Sequence, residues 1–272
     1  EHRIHHTALV PTMLHRVLSN VGADEIRARN LSHLVAMFTG GAPLSAELAT
    51  RVLDAFGEVL FQFYGATETG LVTLASPKHL RDAPGTIGKV LGGNDVRLID
   101  DAGKICGVDE VGELYVKSGN LVEGYHANDD ATRDSMRDGY FSVGDLARCD
   151  ARGYFFIEGR KRDMIISGGV NVYPREVEAV LSAHPRIGEA AVLGLPDEEW
   201  GERVHAFVAL EGASPAPEEH ESIVADILAF CRERLAGPKR PRGVTIMDSL
   251  PRNPTGKVLK GELRELLSGG AA

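Results

Sequence analysis

An aromatic ring, a glycine, a hydroxyl and a carboxylate fall within five consecutive residues, Tyr64-Gly65-Ala66-Thr67-Glu68. The ring offers a flat face to a heterocyclic base, and the glycine lets a ligand approach the backbone closely. The hydroxyl can donate a hydrogen bond to a phosphate, and the carboxylate is a ligand that Mg²⁺ accepts. The same residues could also simply begin a helix. The local sequence leaves both interpretations open.

Two other charged side chains occupy positions suited to chemistry. Asp145 follows Gly144 at the end of a strand predicted from Tyr140 to Val143. It could accept hydrogen bonds from two neighbouring hydroxyls such as those of a ribose, although an ordinary Gly-Asp turn explains it equally well. Lys257 ends the segment that begins at Pro251, a stiff loop with two prolines and a glycine. A compact cation there could offset the charge that develops when a carboxylate attacks a phosphate. A lysine at a loop tip is more often only solvated.

A glycine pair follows the first strand predicted in the chain. The apolar run from Leu34 to Phe38 leads directly into Gly40, Gly41 and Ala42, and Ser45 then stands where a helix N-cap is expected. A strand that ends in paired glycines before a helix is typical of ligand crevices in α/β sheets. A plain strand-to-helix turn is the alternative.

The middle of the chain predicts a joint between two bodies. The apolar run from Tyr154 to Ile157 indicates a strand that Gly159 should end, and a second apolar run, Met164 to Ile166, follows after a charged tetrad. A tight hairpin would favour Asn-Gly or Asp-Gly between the strands. We therefore expect the two strands to belong to different bodies.

A second glycine pair follows this joint. Gly168 and Gly169 allow the backbone to approach a ligand with no side chain between them. Pro174 then stands where a helix should begin, because a first-turn position does not need the N–H that proline lacks.

Three motifs in this order resemble those of the AMP-forming acyl-CoA synthetases, a superfamily that also contains luciferases and the adenylation domains of peptide synthetases. The motifs are Tyr64 to Thr69, the pair formed by Gly139 to Asp145 and Gly159 to Gly169, and Leu250 to Lys257. The resemblance covers nearly all of this chain but only about half of the family's length. It implies the carboxyl-terminal half of such an enzyme.

The resemblance also implies a fold class and a domain division. We expect an α/β remnant of a large adenylation domain with a small β-barrel-like subdomain, followed by a small α+β C-terminal domain. The first domain would span residues 1–161, with an all-β subdomain at about 84–161, and a mobile lid would span residues 162–272.

Site roles follow from the resemblance in the same way. The catalytic residues would be Lys257, Glu68 and Thr67, and Glu68 would also hold magnesium. The cofactor-binding residues would be Gly40, Gly41, Ala42, Tyr64, Gly65, Asp145, Ile157, Arg160, Gly168 and Gly169. Among them, Tyr64 would stack on adenine and Asp145 would bind the ribose. Arg162 would be the hinge.

The implied activity has two half-reactions. A carboxylate, with a fatty acid as the expected substrate, reacts with ATP to give an acyl-adenylate, and CoA then takes the acyl group. The lid would rotate about Arg162, first to bring Lys257 into the site and then to present Ser167 to Gly169 along the pantetheine tunnel. Lys239 and Arg240 could bind the phosphates of CoA, although a solvated loop explains them as well.

One expected motif is absent from the 272 residues. The family's Gly/Ser/Thr-rich phosphate loop is not found, and no Gly-Lys pair has the leading glycine of a phosphate-binding loop. We therefore expect a preceding N-terminal portion of the same enzyme as a partner and little adenylate formation by this chain alone. The alternatives are a fatty acyl-AMP ligase, a carrier-protein-loading adenylation enzyme, or a non-catalytic nucleotide-binding fragment.

Bulk properties exclude several classes. A net charge of −9 argues against a nucleic-acid partner, and no apolar run is long enough to span a bilayer. The three cysteines are widely spaced, which supports neither a disulfide framework nor a zinc site and agrees with a cytoplasmic protein. His5, His6 and His15 lack the cysteine or carboxylate partners of a metal site.

Apolar periodicity predicts the remaining elements. Near the start, the spacing indicates a helix from Ile4 to Ser19, with Pro11 in its first turn. The other expected elements are strands at 59–63, 95–99, 112–117, 189–195, 204–210 and 244–247, and helices at 47–56, 174–183, 218–235 and 258–267. The segment from Gly212 to Pro217 is expected to be a loop.

Overall fold

The structure is a computed structural model that describes residues 3–212, 216–253 and 256–268. The chain divides into two compact units, Glu1–Ile157 and Glu158–Ala272. The division falls four residues before the boundary expected from the sequence. The hinge role of Arg162 stays a prediction. Among the described residues, no helix is long and apolar enough to cross a membrane.

From residue 3 onward, the first unit contains two sheets and five short helices. Its strands are β1 (His6–Ala8), β2 (Ala36–Thr39), β3 (Leu60–Ala66), β4 (Gly70–Ala75), β5 (Lys89–Val90), β6 (Asp95–Ile99), β7 (Gly112–Lys117), β8 (Met136–Arg137), β9 (Tyr140–Phe141), β10 (Asp145–Cys149) and β11 (Phe155–Arg160), the last of which runs past Ile157. Its helices are α1 (Pro11–Val21), α2 (Ala23–Ala28), α3 (Ala46–Phe56), α4 (Pro77–Asp82) and α5 (Asp129–Ser135).

The first sheet has the order β1-β2-β3-β4-β5. Strands β1, β2 and β3 are parallel, and β3 turns back into antiparallel β4. Helix α3 begins as predicted, because the hydroxyl of Ser45 accepts a hydrogen bond from the N–H of Leu48. The apolar faces of α1 and α3 pack in one core with Met37 and Leu60. The carboxyl ends of β2 and β3 therefore meet at one edge of the sheet.

The helix predicted from Ile4 to Ser19 is wrong over its first seven residues. Residues His6–Ala8 form β1, which pairs in parallel with β2, and the helix begins only at Pro11. The apolar residues that suggested a helix lie mostly after Pro11, whereas His5 to Ala8 contribute backbone hydrogen bonds to a neighbouring strand that short-range spacing does not reveal.

The second sheet has the order β11-β10-β7-β9-β8, with β6 also paired to β7. Strands β6 and β7 have the predicted bounds, Asp95–Ile99 and Gly112–Lys117. Within the described residues, the pairing leaves an open sheet, so the barrel-like closure expected from the sequence is not found. The region is also not all-β, because α5 stands between β7 and β8 and is capped by the side chain of Asn128.

In the described part of the second unit, the chain forms one mixed sheet and three α-helices. Its strands are β12 (Ile165–Ser167), β13 (Val170–Val172), β14 (Ile187–Asp197), β15 (Gly201–Leu210) and β16 (Gly243–Met247). Its helices are α6 (Pro174–Ser182), α7 (His220–Arg234) and α8 (Lys260–Ser268), with short 3₁₀ turns at Lys161–Asp163, Pro217–Glu219 and Gly237–Lys239. Residues 213–215 of the predicted loop lie outside the described residues.

Strand β15 organises this second sheet. It pairs antiparallel with β14 along most of its length, parallel with β16, and at one residue pair with β12. Helices α6 and α7 share a core with Val204, Ala206 and Val208 of β15, while Phe207 belongs to a second core with Leu263 of α8. Alternate residues of one strand thus serve two cores, as an α+β unit with helices on both faces requires.

The joint predicted at the centre of the chain is confirmed in one respect and wrong in another. Strands β11 and β12 belong to different sheets, so they do not form a hairpin. Gly159 does not end the first strand, because β11 continues through it to Arg160. The chain turns instead in the charged segment Lys161–Asp163, which forms a single 3₁₀ turn.

Candidate functional site

Two of the residues singled out from the sequence meet in the first unit. The hydroxyl of Tyr64 donates a hydrogen bond of 2.7 Å to Oδ2 of Asp145, although the two residues are 81 positions apart. Tyr64 lies near the end of β3 in the first sheet, and Asp145 begins β10 in the second. This contact brings the proposed base-stacking residue and the proposed ribose-binding residue to one place.

The backbone around Asp145 differs from the prediction. We expected Asp145 at the end of a strand from Tyr140 to Val143, but that strand stops at Phe141 and Asp145 opens the next one. Gly144 makes the turn between them with a φ of 78°, a conformation that favours glycine. Asp145 is a buried carboxylate. It therefore lies at the start of a strand, directly after a tight turn.

Glu68 lies in the turn between β3 and β4, so the alternative that this motif begins a helix is wrong. Its carboxylate accepts a hydrogen bond of 3.1 Å from the hydroxyl of Tyr125, and its carbonyl accepts one from the N–H of Val122. The ring of Tyr125 packs on Phe141, with ring centroids 5.8 Å apart. Sequence analysis missed Tyr125, because nothing local connects it to a residue 57 positions earlier.

The expected magnesium role can be tested against the residues present. Among the described residues, no group of three or more His, Cys, Asp or Glu side chains could hold a metal ion by itself. Mg²⁺ is commonly held by one or two carboxylates together with substrate phosphates and water. A single carboxylate at Glu68 fits that pattern. Thr67 next to it is exposed, as a hydroxyl that donates to a bound phosphate would need to be.

Close packing within the protein explains two of the site glycines. A Cβ on Gly65 would come 2.1 Å from the carbonyl oxygen of Gly70 on the paired strand, and a Cβ on Gly40 would come 2.5 Å from the ring of Phe63. Gly41 differs, because it has a φ of 76° and a Cβ there would meet nothing within 4 Å. Gly41, with the neighbouring Ala42, is therefore the part of this motif where a ligand could approach.

The glycine pair of the second unit forms a hairpin turn. Gly168 and Gly169 have φ values of 58° and 77°, and they join β12 to β13. A two-residue turn with both φ values positive is the type that hairpins favour. The N–H of Gly168 donates to the carbonyl of Trp200, and a Cβ on Gly168 would come 2.7 Å from the Trp200 ring. A Gly-Gly pair between two short apolar runs was the sequence signal for this hairpin.

Lys257 is exposed and lies in a loop with local contacts. The side-chain oxygen of Asn253 accepts from the N–H of Lys257 at 2.8 Å, and the N–H of Asn253 donates to the carbonyl of Lys257. Arg252 donates to the carbonyl of Gly256 and forms an ion pair with Glu189. Residues 254 and 255 lie outside the described residues.

The remaining predicted residues lie in a hydrophobic core, at the end of a strand or in contacts within the second unit. Ile157 packs against the core of the second sheet, and Arg160 ends β11. Lys239 forms an ion pair of 2.7 Å with Glu176, and Arg240 donates to the carbonyl of Leu235. Lys239 and Arg240 thus have partners within the second unit, and their role towards the phosphates of CoA stays a prediction.

Comparison with protein families gives two matches. A family model described as AMP-binding enzyme matches residues 1–126, and one described as AMP-binding enzyme C-terminal domain matches residues 176–257. The chain therefore belongs to the AMP-binding enzyme family, the adenylate-forming enzymes whose motifs it carries.

Curated relatives and solved structures agree with this family. The chain is 40% identical over 257 residues to a feruloyl-CoA synthase of Amycolatopsis sp, covering 94% of this chain and 50% of the relative. It is 37% identical to a long-chain-fatty-acid–CoA ligase of Yersinia pestis, covering 94% of this chain and 44% of the relative. The structure of ATP-bound MatB from Rhodopseudomonas palustris matches with a TM-score of 0.88 and 34% identity, over 99% of this chain and 52% of that one. The chain thus spans about half the length of the relatives it matches.

Proposed function

We propose that the whole protein to which this chain belongs is an AMP-forming acyl- or aryl-CoA ligase. It would activate a carboxylic acid as the acyl-adenylate at the expense of ATP and then transfer the acyl group to the thiol of CoA. The observation that carries the proposal is the hydrogen bond between Tyr64 and Asp145, because it joins the two motifs that the family resemblance assigns to adenine and ribose.

The first unit would bind the nucleotide. Asp145 would accept hydrogen bonds from the ribose hydroxyls, and Tyr64 would offer its ring to adenine while its hydroxyl orients the Asp145 carboxylate. Thr67 would donate to a phosphate. Glu68, oriented by Tyr125, would hold Mg²⁺, which supplies charge neutralisation at the phosphates when bound.

The second unit would supply two groups at different steps. Lys257 would place a positive charge near the α-phosphate as the carboxylate oxygen attacks it, and this requires that the second unit bring the lysine to the nucleotide. The hairpin turn at Gly168 and Gly169 would line the path of the thiol, since a turn without side chains leaves room for a narrow chain. Arg162 would be the hinge between the two arrangements.

The acid substrate is proposed only as a class. The relatives are named for an aromatic acid and for long-chain fatty acids, so the fatty acid expected from the sequence is one of two candidate classes. CoA is preferred as the acceptor because both of these relatives are named for it, whereas a carrier protein is the remaining alternative. The phosphate loop is not found in the 272 residues, so activity is proposed for the whole protein and not for this chain alone.

The proposal is tested by assaying the whole enzyme with ATP, Mg²⁺ and CoA against ferulate and against a long-chain fatty acid, with AMP release and acyl-CoA formation measured together. We expect equal amounts of AMP and acyl-CoA from one of the two acid classes. AMP release that depends on an acid but yields product only with a carrier protein would favour the carrier-protein-loading enzyme. If no acid supports AMP release, the ligase proposal is wrong.

A further inference from the structure

Ser142 is a buried side chain, 3% exposed, that lies within the motif Gly139 to Asp145 and was given no role from the sequence. Its hydroxyl takes part in two hydrogen bonds. It accepts one of 3.0 Å from the N–H of Gly144 and donates one of 2.7 Å to Oε1 of Glu113. Its own N–H donates to the carbonyl of Ser135. The side chain and backbone of Ser142 are therefore fixed from three directions, immediately before the turn that leads into Asp145.

Glu113 contacts the chain on both sides of the turn that precedes Asp145. The bond from Gly144 N–H fixes the peptide that directly precedes Asp145, and Gly144 is in the left-handed region at a φ of 78°. On the other side of Asp145, Leu146 pairs in register with Glu113 across β10 and β7. Glu113 thus anchors the turn through Ser142 and anchors the strand through its backbone.

The direction of the Asp145 carboxylate depends on this turn. Because Asp145 is the first residue of β10, its backbone orientation is set by the Gly144 peptide on one side and by the strand pairing on the other. A carboxylate that must meet two vicinal hydroxyls needs its two oxygens in one defined plane, and a displacement of about 1 Å at such a group can cost roughly a hundredfold.

We propose that Ser142 and Glu113 are positioning residues for ribose recognition: the Ser142 hydroxyl, held by Glu113, sets the turn that aims the Asp145 carboxylate at the 2′- and 3′-hydroxyls of the nucleotide. This inference rests on the proposed function, since it assumes that Asp145 binds the ribose. Neither residue touches the nucleotide in this account.

The test compares two ligands, AMP and 2′-deoxy-AMP, titrated calorimetrically into the whole enzyme, in which this chain is either unchanged or carries one substitution. For the unchanged chain, the dissociation constant for 2′-deoxy-AMP should exceed that for AMP by about tenfold or more, because a hydrogen bond to a charged group is lost. Ser142→Ala should reduce this ratio to about twofold or less, and Ser142→Thr, which keeps the hydroxyl, should retain most of it. Glu113→Ala should act like Ser142→Ala.

The ratio of the dissociation constants for 2′-deoxy-AMP and AMP distinguishes a change in ribose recognition from partial unfolding. Partial unfolding of a variant weakens both ligands by the same factor and leaves the ratio unchanged. Ser118→Ala is the matched control, because the Ser118 hydroxyl also accepts from the N–H two residues later, that of Asn120, but away from the Asp145 turn in sequence. Its ratio should equal that of the unchanged chain.

The Asp145→Ala variant distinguishes the positioning role of Ser142 from the ribose-binding role of Asp145. If this variant loses the preference for AMP while Ser142→Ala keeps it, the positioning proposal is wrong and the ribose role of Asp145 stands. If the unchanged chain shows no preference, or if Asp145→Ala keeps it, the ribose role fails and the positioning proposal fails with it.

Discussion

The candidate residues of the two units are positioned in different ways. In the first unit, Asp145 and Glu68 are held by tyrosines from distant parts of the chain, with hydrogen bonds that span 81 and 57 positions. In the second unit, Lys257 is exposed, and its backbone exchanges hydrogen bonds with Asn253, four positions away.

This difference matches the tasks proposed for the two units. A nucleotide has fixed geometry, so its recognition benefits from groups that are oriented before binding and lose little entropy when it binds. A cation that acts at a single step needs charge and reach more than a fixed orientation. We therefore expect substitutions in the first unit to alter nucleotide binding and substitutions at Lys257 to alter the rate of one step.

The largest expected effect is that of Lys257→Ala in the whole enzyme. Loss of a group that stabilises developing charge typically costs about a hundredfold or more in rate, so ATP–pyrophosphate exchange should fall by that factor. The affinity for AMP should stay within about twofold, because the lysine acts on the transition state and not on the bound nucleotide. If the exchange rate and the AMP affinity fell by the same factor, Lys257 would act on nucleotide binding as the first unit does, and the proposed difference between the two units would be wrong.

Lys104→Ala is the control for this experiment. Lys104 is likewise an exposed lysine next to a glycine, but it lies in the β6–β7 connection, outside the three motifs. Its replacement should leave the exchange rate unchanged.

The second prediction concerns the pH dependence of the second unit. Burial, reinforced by the charge of Arg203, lowers the pKa of His205 from 6.5 to about 4. Between these two values the unfolded chain binds the proton and the folded chain does not, so the free energy of unfolding must decrease as the pH falls from about 6.5 to about 4. Above that window this histidine has no effect. The slope from one such group is at most about 1.4 kcal/mol per pH unit.

Trp200 offers a direct probe of this effect, because it is the single tryptophan of the chain and lies in the second unit. Urea unfolding followed by its fluorescence at several pH values should show a shallower decline below pH 6.5 for His205→Asn than for the unchanged chain. Identical slopes would mean that His205 is not the group responsible.

The smallest expected effect is that of Tyr125→Phe, which tests the long-range positioning of Glu68. The variant keeps the ring that packs on Phe141 and removes only the hydroxyl that donates to the carboxylate. The Mg²⁺ concentration needed for half-maximal ATP binding should rise by about fivefold to tenfold, in keeping with one lost hydrogen bond to a charged group.

Tyr140→Phe is the matched control, because Tyr140 also donates its hydroxyl to a carboxylate of the first unit, that of Asp95. Its Mg²⁺ dependence should be unchanged. A Tyr125→Phe enzyme with normal Mg²⁺ dependence would show that Glu68 is positioned without the tyrosine or does not meet the ion.

Regular elements with strong local signals could be predicted from the sequence. Strands β6 and β7 have the expected bounds, Ser45 caps α3, and Pro174 opens α6. Each depends on a pattern within a few residues, such as alternation, a cap or a first-turn proline. The family resemblance came from motifs of the same local kind.

What the sequence did not predict depends on contacts between distant residues. Strand β1 exists because its backbone pairs with β2, and β11 continues through Gly159 to Arg160. The roles of Tyr125 and Ser142 were not predicted for the same reason. Tyr125 contacts Glu68, 57 positions away, and Ser142 contacts Glu113, 29 positions away. The sequence suggested that Gly65 is a glycine because a ligand approaches it. The carbonyl of Gly70 on the paired strand already leaves no room for a Cβ at this position.

The central claim is that the pair of Tyr64 and Asp145 forms the ribose side of a nucleotide site in the first unit. Its most direct test is calorimetric titration of AMP into the whole enzyme, with this chain unchanged and with Asp145→Ala, and with thermal unfolding checked in parallel. The account predicts an affinity loss of about tenfold or more with little change in unfolding temperature. Unchanged AMP affinity in the folded variant would contradict it.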